Sequence, residues 1–254
     1  MNVKEMTNTG LKVSIIMPVY KASATIEQAV ASVVTQSYNA WELIVINDNC
    51  PEKSCRLITK YLVDDPRIIK IDNATNQGVV ASRNIGMTQA KGQIIAFLDS
   101  DDYWHIDKLE RQIAKIEEGY DLVCSNYLRV RQNSEHIEVK HKKEFNFIDM
   151  LKSNQIGNLT GMYRCDRIGK IYQKKVGHED YLMWLEVVKL AGIGYCVQEP
   201  LAYYRVSNKS LSSNKFRAAS WQWYIYRKKL SLSLITSLWL FLSYGYSALK
   251  KRKR

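Results

Sequence analysis

Beyond Glu199 this 254-residue chain has no acidic residue, although twelve Lys and Arg residues follow that point, from Arg205 to Arg254. Up to Glu199 the balance is even, 25 basic residues against 25 acidic, so the net charge of +12 belongs to the tail. A basic patch spread over a folded domain is therefore missing, as are aromatic RNA-stacking motifs, and no nucleic-acid partner is expected. Cysteine is sparse: Cys50, Cys55, Cys124, Cys165 and Cys196 are odd in number and contain no C-x-x-C pair. That fits a reduced compartment better than a disulfide framework, and with no Cys/His cluster a zinc site is not expected. Residues 1–11 lack an apolar run, so no signal peptide is expected and the folded domain is placed in the cytoplasm. Internal repeats and low-complexity tracts are absent.

What is present alternates. Short apolar runs at 13–17, 43–46, 68–71, 93–98 and 122–124 read as strands. Between them, 81–90 and 108–118 suit helices. Thr25-Ile26-Glu27-Gln28 fits a capping box ahead of a helix with Ile26, Val30 and Val33 on one face. Such alternation predicts an α/β fold, a mostly parallel, Rossmann-like central sheet with helices on both faces. The polar stretch 129–143 suits a hairpin or a mobile lid, and 181–190 an amphipathic helix. His105, His136 and His141 lack ligand spacing and read as surface residues.

The strand at 93–98 ends in a knot of carboxylates, Asp99-Ser100-Asp101-Asp102. Like charges packed this closely repel, and desolvating them is costly unless a cation sits among them. A divalent ion is the simplest partner, since hard cations take carboxylate oxygens. The carboxyl end of a central strand is also where open α/β sheets place ligands.

Three blocks share an order and spacing with a known family. Val13-Ser14-Ile15-Ile16-Met17-Pro18-Val19-Tyr20 opens the chain. Asn76-Gln77-Gly78-Val79-Val80-Ala81-Ser82-Arg83-Asn84-Ile85-Gly86 follows, then Phe97-Leu98-Asp99-Ser100-Asp101-Asp102. Together, over residues 13–102, they resemble the family-2 glycosyltransferases of the GT-A fold. The resemblance implies that Mn²⁺ or Mg²⁺ is held against a nucleotide-sugar diphosphate by Asp101, with Asp99 touching metal or ribose. Asp102 is then a supporting residue or a helix cap. Asp48 would accept the uracil N–H, with Pro18 and Tyr20 cradling the base; the alternative is a turn aspartate. The family's usual pair of adjacent acids, Gly and Ser is here Asn47, Asp48, Asn49 and Cys50. Arg83 falls where the family places a basic residue near the phosphates, or else pairs with an acid of the knot.

Gly177-His178-Glu179-Asp180-Tyr181 resembles the family's Glu-Asp motif. Inverting transfer needs a base opposite the leaving group, and a carboxylate within reach of the acceptor hydroxyl serves. Asp180 is that base by resemblance, with Glu179 and His178 as acceptor contacts or helix-start residues. Arg205 and Lys209, in a region where such enzymes close a loop over the diphosphate, are candidates to touch phosphate. Trp104 lines either the sugar pocket or the core.

Residues 230–249 are uncharged and flanked by basic residues on both sides, but five serines dilute them. The expectation is an amphiphilic helical tail lying in or dipping into the cytoplasmic membrane interface, with Trp221, Trp223, Tyr224 and Tyr226 as interfacial aromatics. The alternatives are a single membrane span and a helix pair packed on the domain. The division reads as a GT-A domain over 1–215 (donor half 1–102, acceptor half 103–215) and a membrane-associating tail over 216–254. The tail and the 201–215 region resemble bacterial O-antigen and capsule enzymes that extend a sugar on undecaprenyl diphosphate. The implied activity is transfer of a hexose from UDP-Gal or UDP-Glc to a lipid-linked acceptor such as GlcNAc-diphospho-undecaprenol, in a β-1,3 linkage. The enzyme would sit peripherally or monotopically on the inner face of the plasma membrane, against its lipids. Rival readings are another nucleotide sugar, a non-lipid acceptor, or a non-enzymatic basic module attached to membranes. A dehalogenase-like phosphatase fits poorly, because its Asp-x-Asp lies on the first strand.

Overall fold

The apolar runs of the N-terminal half become strands because helices bury both of their faces. The computed structural model describes residues 10–52, 54–131, 135–206 and 215–250. Lys209, with the rest of the 207–214 loop, and the basic run 251–254 lie outside the described residues. Strand β1 (Val13–Val19) is buried throughout and pairs in parallel with β2 (Trp41–Asn47) and β4 (Ile94–Phe97). Strand β3 (Ile68–Asp72) extends the parallel set beyond β2. All four run the same way, so their carboxyl ends share one edge: Val19 faces Asn47, Asn47 faces Asp72, and Phe97 leads into the knot.

Beyond β4 the sheet changes character. The order is β3-β2-β1-β4-β9-β6-β10-β5, in which β9 (Met162–Arg164) runs antiparallel to both β4 and β6 (Leu122–Val130). Strand β10 (Ile193–Arg205) returns parallel to β6 and pairs antiparallel with the short β5 (Tyr103–Trp104). The polar stretch after β6 forms a hairpin with β7 (His136–Val139), and β8 (Glu144–Asn146) joins β10. Helices α1 (Ile26–Val34) and α4 (Lys108–Glu117) close one face over Ile15, Met17, Leu43 and Val123, with α2 (Thr59–Asp64) at its margin. On the other face α3 (Val79–Gln89), α5 (Phe147–Lys152), α6 (Cys165–Ile168) and α7 (Glu179–Ala191) cover Ile16, Ile46, Phe97 and Tyr163. The mixed α/β sheet with helices on both faces is as expected, but its parallel character is confined largely to the first half.

Three local expectations are corrected. No capping box forms at Thr25; its hydroxyl donates to the Ala22 carbonyl at 3.4 Å, because the chain turns tightly on that oxygen before α1. His141 is half-buried, its ring 5.9 Å from that of Tyr127, rather than a surface residue. The uncharged stretch 230–249 is not one helix. Helix α8 (Lys215–Tyr224) passes through a π-helical turn (Ile225–Lys229) and a bend at Ser231, where φ is 51°, before α9 (Leu234–Lys250) begins. Among the described residues no helix is long and apolar enough to cross a membrane. Of the four aromatics expected at an interface, Tyr226 is fully buried and its hydroxyl donates to the Leu151 carbonyl. Trp221 packs edge-on against His178, and Trp223 against Phe241. Only Tyr224 is exposed. Helix α8 therefore packs on the domain, the alternative reading of the tail.

Trp104 belongs to the core: it is 4% exposed and its indole N–H donates to the Leu159 carbonyl at 2.8 Å. Above its ring, 4.0 Å from the centroid, lies the ammonium of Lys108, fully buried and donating to Gln112 Oε1 at 2.6 Å. Burial without an opposing carboxylate drops the Lys108 pKa from 10.5 to about 7. The unfolded chain therefore binds the extra proton between about pH 7 and 10.5, and stability rises with pH across that window. The slope from this one group approaches about 1.4 kcal/mol per pH unit. Urea unfolding at pH 7, 8 and 9 is expected to show the rise in the native chain and a flatter profile in Lys108→Met. Equal slopes would remove the buried ammonium as its cause.

Candidate active site

The carboxyl ends of β1, β2 and β4 and the first turns of α3 and α7 converge at one edge of the sheet. Pro18, inside β1, is buried beside Ile46, and Tyr20, just past its end, is 45% exposed. Asp48 follows β2 and is 2% exposed. Its Oδ1 accepts from the Asn73 amide at 2.8 Å and the Gln77 backbone N–H at 2.9 Å, and its Oδ2 from the Gly78 N–H at 2.8 Å. Burial pushes this carboxyl up, but the donors of Gln77, Asn73 and Gly78 outweigh it and hold the group below the usual range. Ser82 adds a side-chain hydrogen bond, so Asp48 fastens β2 to the loop that starts α3 and to the first turn of that helix. Asn49, where the resembled pattern has Gly, takes a left-handed φ of 51°, a conformation that Asn tolerates better than most residues. Cys50, in place of Ser, accepts the Lys21 N–H at 3.1 Å.

Arg83 projects from the second turn of α3 and is 8% exposed. Its Nη2 pairs with Asp99 Oδ1 at 2.5 Å and its Nη1 donates to Gln173 Oε1 at 3.3 Å, while the buried Nε has no hydrogen-bond partner. Burial weakens this charge; Asp99, and further off Asp180 and Glu179, outweigh that and raise its pKa. The ion pair with the knot, one of the two readings of Arg83, is therefore formed, and Arg83 faces the acids of α7 as well. Asn84 locks the arrangement: its Nδ2 donates to the Gln173 carbonyl and its Oδ1 accepts the Gln173 N–H, each at 2.9 Å.

Within the knot the three carboxylates have separate environments. Asp99 holds Arg83. Asp102, 1% exposed, accepts the backbone N–H of Arg205 at 2.9 Å and so anchors the end of β10; it caps no helix. Burial, then Asp101 and Asp99, push its carboxyl well above the ordinary range. Asp101 opens to solvent at its outer edge and receives no N–H from another described residue. Crowding around it and the neighbouring Asp99 charge raise its pKa. An accessible carboxylate strained by a second one is the donor chemistry that a hard divalent cation relieves, so Asp101 and Asp99 fit such an ion. Among the described residues no group of three His, Cys, Asp or Glu side chains forms a complete cation cage. Two carboxylates alone suit an ion whose remaining positions are filled by ligand phosphates and water.

The Arg205 guanidinium donates from Nη1 to the Asp101 carbonyl at 2.5 Å and from Nη2 to Gln28 Oε1. It lies 4.7 Å from the Tyr103 ring centroid, and Tyr103 stacks on Tyr203 at 4.5 Å. Arg205 therefore ties β10 to the knot.

Glu179 and Asp180 open α7 directly after His178, which takes a left-handed φ of 49°. Glu179 lines a cleft of about 440 Å³ together with Gln77, Gly78, Val79, Asn84 and Gln173. The structure thus brings Arg83, Asp99, Asp101, Glu179 and Asp180 to one edge, with Asp48 and Tyr20 along it. Gln173, Gln28 and Trp221 hold residues of this edge and are marked by no motif. Gln173 stands in an ordinary polar segment, and the tail aromatics carry the signature of a membrane interface.

The profile described as Glycosyl transferase family 2 matches residues 14–174. TuaG of Bacillus subtilis, provisionally assigned as a teichuronic acid biosynthesis glycosyltransferase, is 34% identical over 97% of this chain and 100% of its own length. WfgD of Escherichia coli, a UDP-Glc:alpha-D-GlcNAc-diphosphoundecaprenol beta-1,3-glucosyltransferase, is 33% identical over 83% of each chain. The crystal structure of S. aureus TarS 1-349 with UDP-GlcNAc superposes with a TM-score of 0.71 at 19% identity, over 86% of this chain and 67% of that one. With the knot, the Arg83 block and the α7 acids on one edge of the shared GT-A fold, the chain belongs to glycosyl transferase family 2 and is a glycosyltransferase.

Proposed function

We propose that the chain is an inverting, metal-dependent hexosyltransferase. It moves glucose or galactose from a UDP-sugar to a lipid-linked acceptor, GlcNAc-diphospho-undecaprenol with a β-1,3 linkage being favoured, in O-antigen or capsule polysaccharide synthesis. The observation that carries this reading is the place of Arg83, ion-paired with Asp99 of the knot and within the field of Asp180 and Glu179 of α7. The acceptor is argued from WfgD, whose name states that substrate.

Residues 1–102 hold the donor in this reading. Tyr20 and Pro18 flank the base, and Asp48 takes the uracil N–H. Asp99 and Asp101 hold Mn²⁺ or Mg²⁺, which supplies Lewis-acid stabilisation of the departing diphosphate. The unpaired Arg83 Nε, buried beside the knot, is a donor for a phosphate oxygen. Residues 103–215 receive the acceptor, with Glu179 and His178 lining its approach. Asp180 takes the acceptor hydroxyl proton while that oxygen attacks the anomeric carbon. The bond from that carbon to the diphosphate oxygen breaks on the opposite face, UDP departs, and an α-linked donor becomes a β-linked product. The tail, residues 216–254, attaches the enzyme to lipids on the inner face of the plasma membrane through α9, since α8 is packed on the domain.

A donor-hydrolysis screen over UDP-, GDP- and dTDP-sugars, with Mn²⁺ or with EDTA, tests the donor assignment. UDP-Glc or UDP-Gal turnover that EDTA abolishes is expected. Turnover indifferent to EDTA, or preference for a GDP-sugar, would sink the assignment of the knot and of Asp48.

A further inference from the structure

Helix α9 has two unlike faces. At about 100° per residue, Leu234, Ile235, Leu238, Trp239 and Leu242 fall within a sector of about 140°. They are 54, 81, 48, 55 and 72% exposed. On the opposite side Ser237 and Leu240 are buried, and Phe241 packs on Trp223. Five large apolar side chains in one continuous row differ from the scattered single exposures of an ordinary surface.

Basic groups flank that row. The Lys152 ammonium lies 5.2 Å from the Trp239 ring centroid. Arg227, Lys228 and Lys229 precede the helix, basic residues end the chain, and no acid occurs after Glu199. A second copy docking here by two-fold symmetry would bring the basic flanks together. An anionic lipid surface complements both the row and its flanks. The helix is 17 residues, about 25 Å, and lies along the domain, where its inner face is already occupied.

That inner side reaches the site. The Tyr244 phenol of α9 is pushed up by burial and, next, by the charge of Asp180, so it lies within the electrostatic reach of the α7 acid. From α8, Trp221 meets the His178 ring edge-on at 5.2 Å and leaves no room at Gly177, where a Cβ would lie 2.5 Å from the indole. The Gln222 amide donates to the Tyr181 hydroxyl at 3.2 Å. A left-handed non-glycine residue such as His178 persists only where its surroundings hold it, and here the tail holds it.

We infer that the outer row of α9 docks in the plane of an anionic bilayer while the α8–α9 pair braces the turn that carries Asp180. This rests on the membrane-held acceptor proposed above and names the surface and the brace. Trp221 is a positioning residue.

The test uses the full chain and vesicles of phosphatidylcholine with or without one part in three phosphatidylglycerol. The native protein is expected to sediment with the anionic vesicles. The triple variant Ile235→Ser/Leu238→Ser/Leu242→Ser should lose that binding by about tenfold or more while UDP-sugar hydrolysis is unchanged. Lys228→Gln/Lys229→Gln, at exposed positions where Lys229 meets only the exposed Tyr224 ring at 5.7 Å, should weaken only the anionic component. Trp221→Ala should keep vesicle binding and lower the transfer kcat with the donor KM unchanged. Native-like vesicle binding by the triple variant overturns the docking face, as does a native dimer that the triple variant splits without affecting vesicle binding. Native kcat in Trp221→Ala overturns the brace. Absence of hydrolysis in every protein counts against the proposed activity and leaves the vesicle result standing.

Discussion

Asp180→Asn lowers transfer by roughly a thousandfold while UDP-sugar affinity stays within about threefold. The amide keeps the size of the side chain and removes its basicity, so the acceptor oxygen must attack with its proton still attached. A thousandfold corresponds to about 4 kcal/mol of barrier, within the range of positioned general bases. Donor affinity is spared because Asp180 lies in the first turn of α7, across Arg83 from the knot. Glu179→Gln, one residue earlier on the same turn, is expected to raise the acceptor KM more than it lowers kcat. Single-turnover transfer together with calorimetric UDP-sugar binding reads both quantities. Substantial residual transfer by Asp180→Asn would remove it as the base; a matching collapse of donor affinity would move it to the donor side.

Asp101→Asn should lower metal-dependent turnover by roughly a hundredfold to a thousandfold and shift the Mn²⁺ titration to higher concentration. Of the three knot carboxylates, Asp99 already neutralises Arg83 and Asp102 is spent on the β10 backbone. Asp101 is left with an exposed edge, and its affinity for a positive partner is raised by crowding and by Asp99. Removing its charge relieves the repulsion, so the folded protein should not be destabilised; activity and ion affinity should fall together. Calorimetry of Mn²⁺ binding with UDP, beside turnover at increasing Mn²⁺, tests this directly. A native Mn²⁺ curve in Asp101→Asn would transfer the role elsewhere.

The strand-end edge that carries the candidate site was legible in the sequence because continuous strand hydrophobicity and strand-end polar residues leave a local pattern. Asp48, Arg83 and the knot each follow an apolar run or a glycine turn, and each lies at the expected edge. The acceptor half was less legible, because its strands are made by distant partners: three residues of β9 separate β4 from β6, and periodicity cannot register so short a strand. The tail misled for a related reason. Trp221 and Tyr226 belong to an aromatic, basic, uncharged-run composition that looks the same facing lipid or facing Gly177 and Leu151. Only the packing distinguishes the two, and the residues that decide it lie at least forty positions upstream. Gln173, whose side chain meets Arg83 and whose backbone meets Asn84, shows how an unremarkable polar residue becomes structural through partners ninety positions away.

The insertion of β9 has a bearing on how the chain is made. While a ribosome is still delivering residues before Met162, one edge of β4 has no strand to pair with, although β1, β2 and β4 are already complete. An apolar strand with an open edge invites pairing with another nascent chain. Closing it requires a contact some seventy positions long in sequence, which slows folding relative to local pairing. Residues 1–102 expressed alone would leave that edge permanently bare, so this segment is expected to aggregate as it is made, whereas the full chain covers the edge once Met162–Arg164 has emerged.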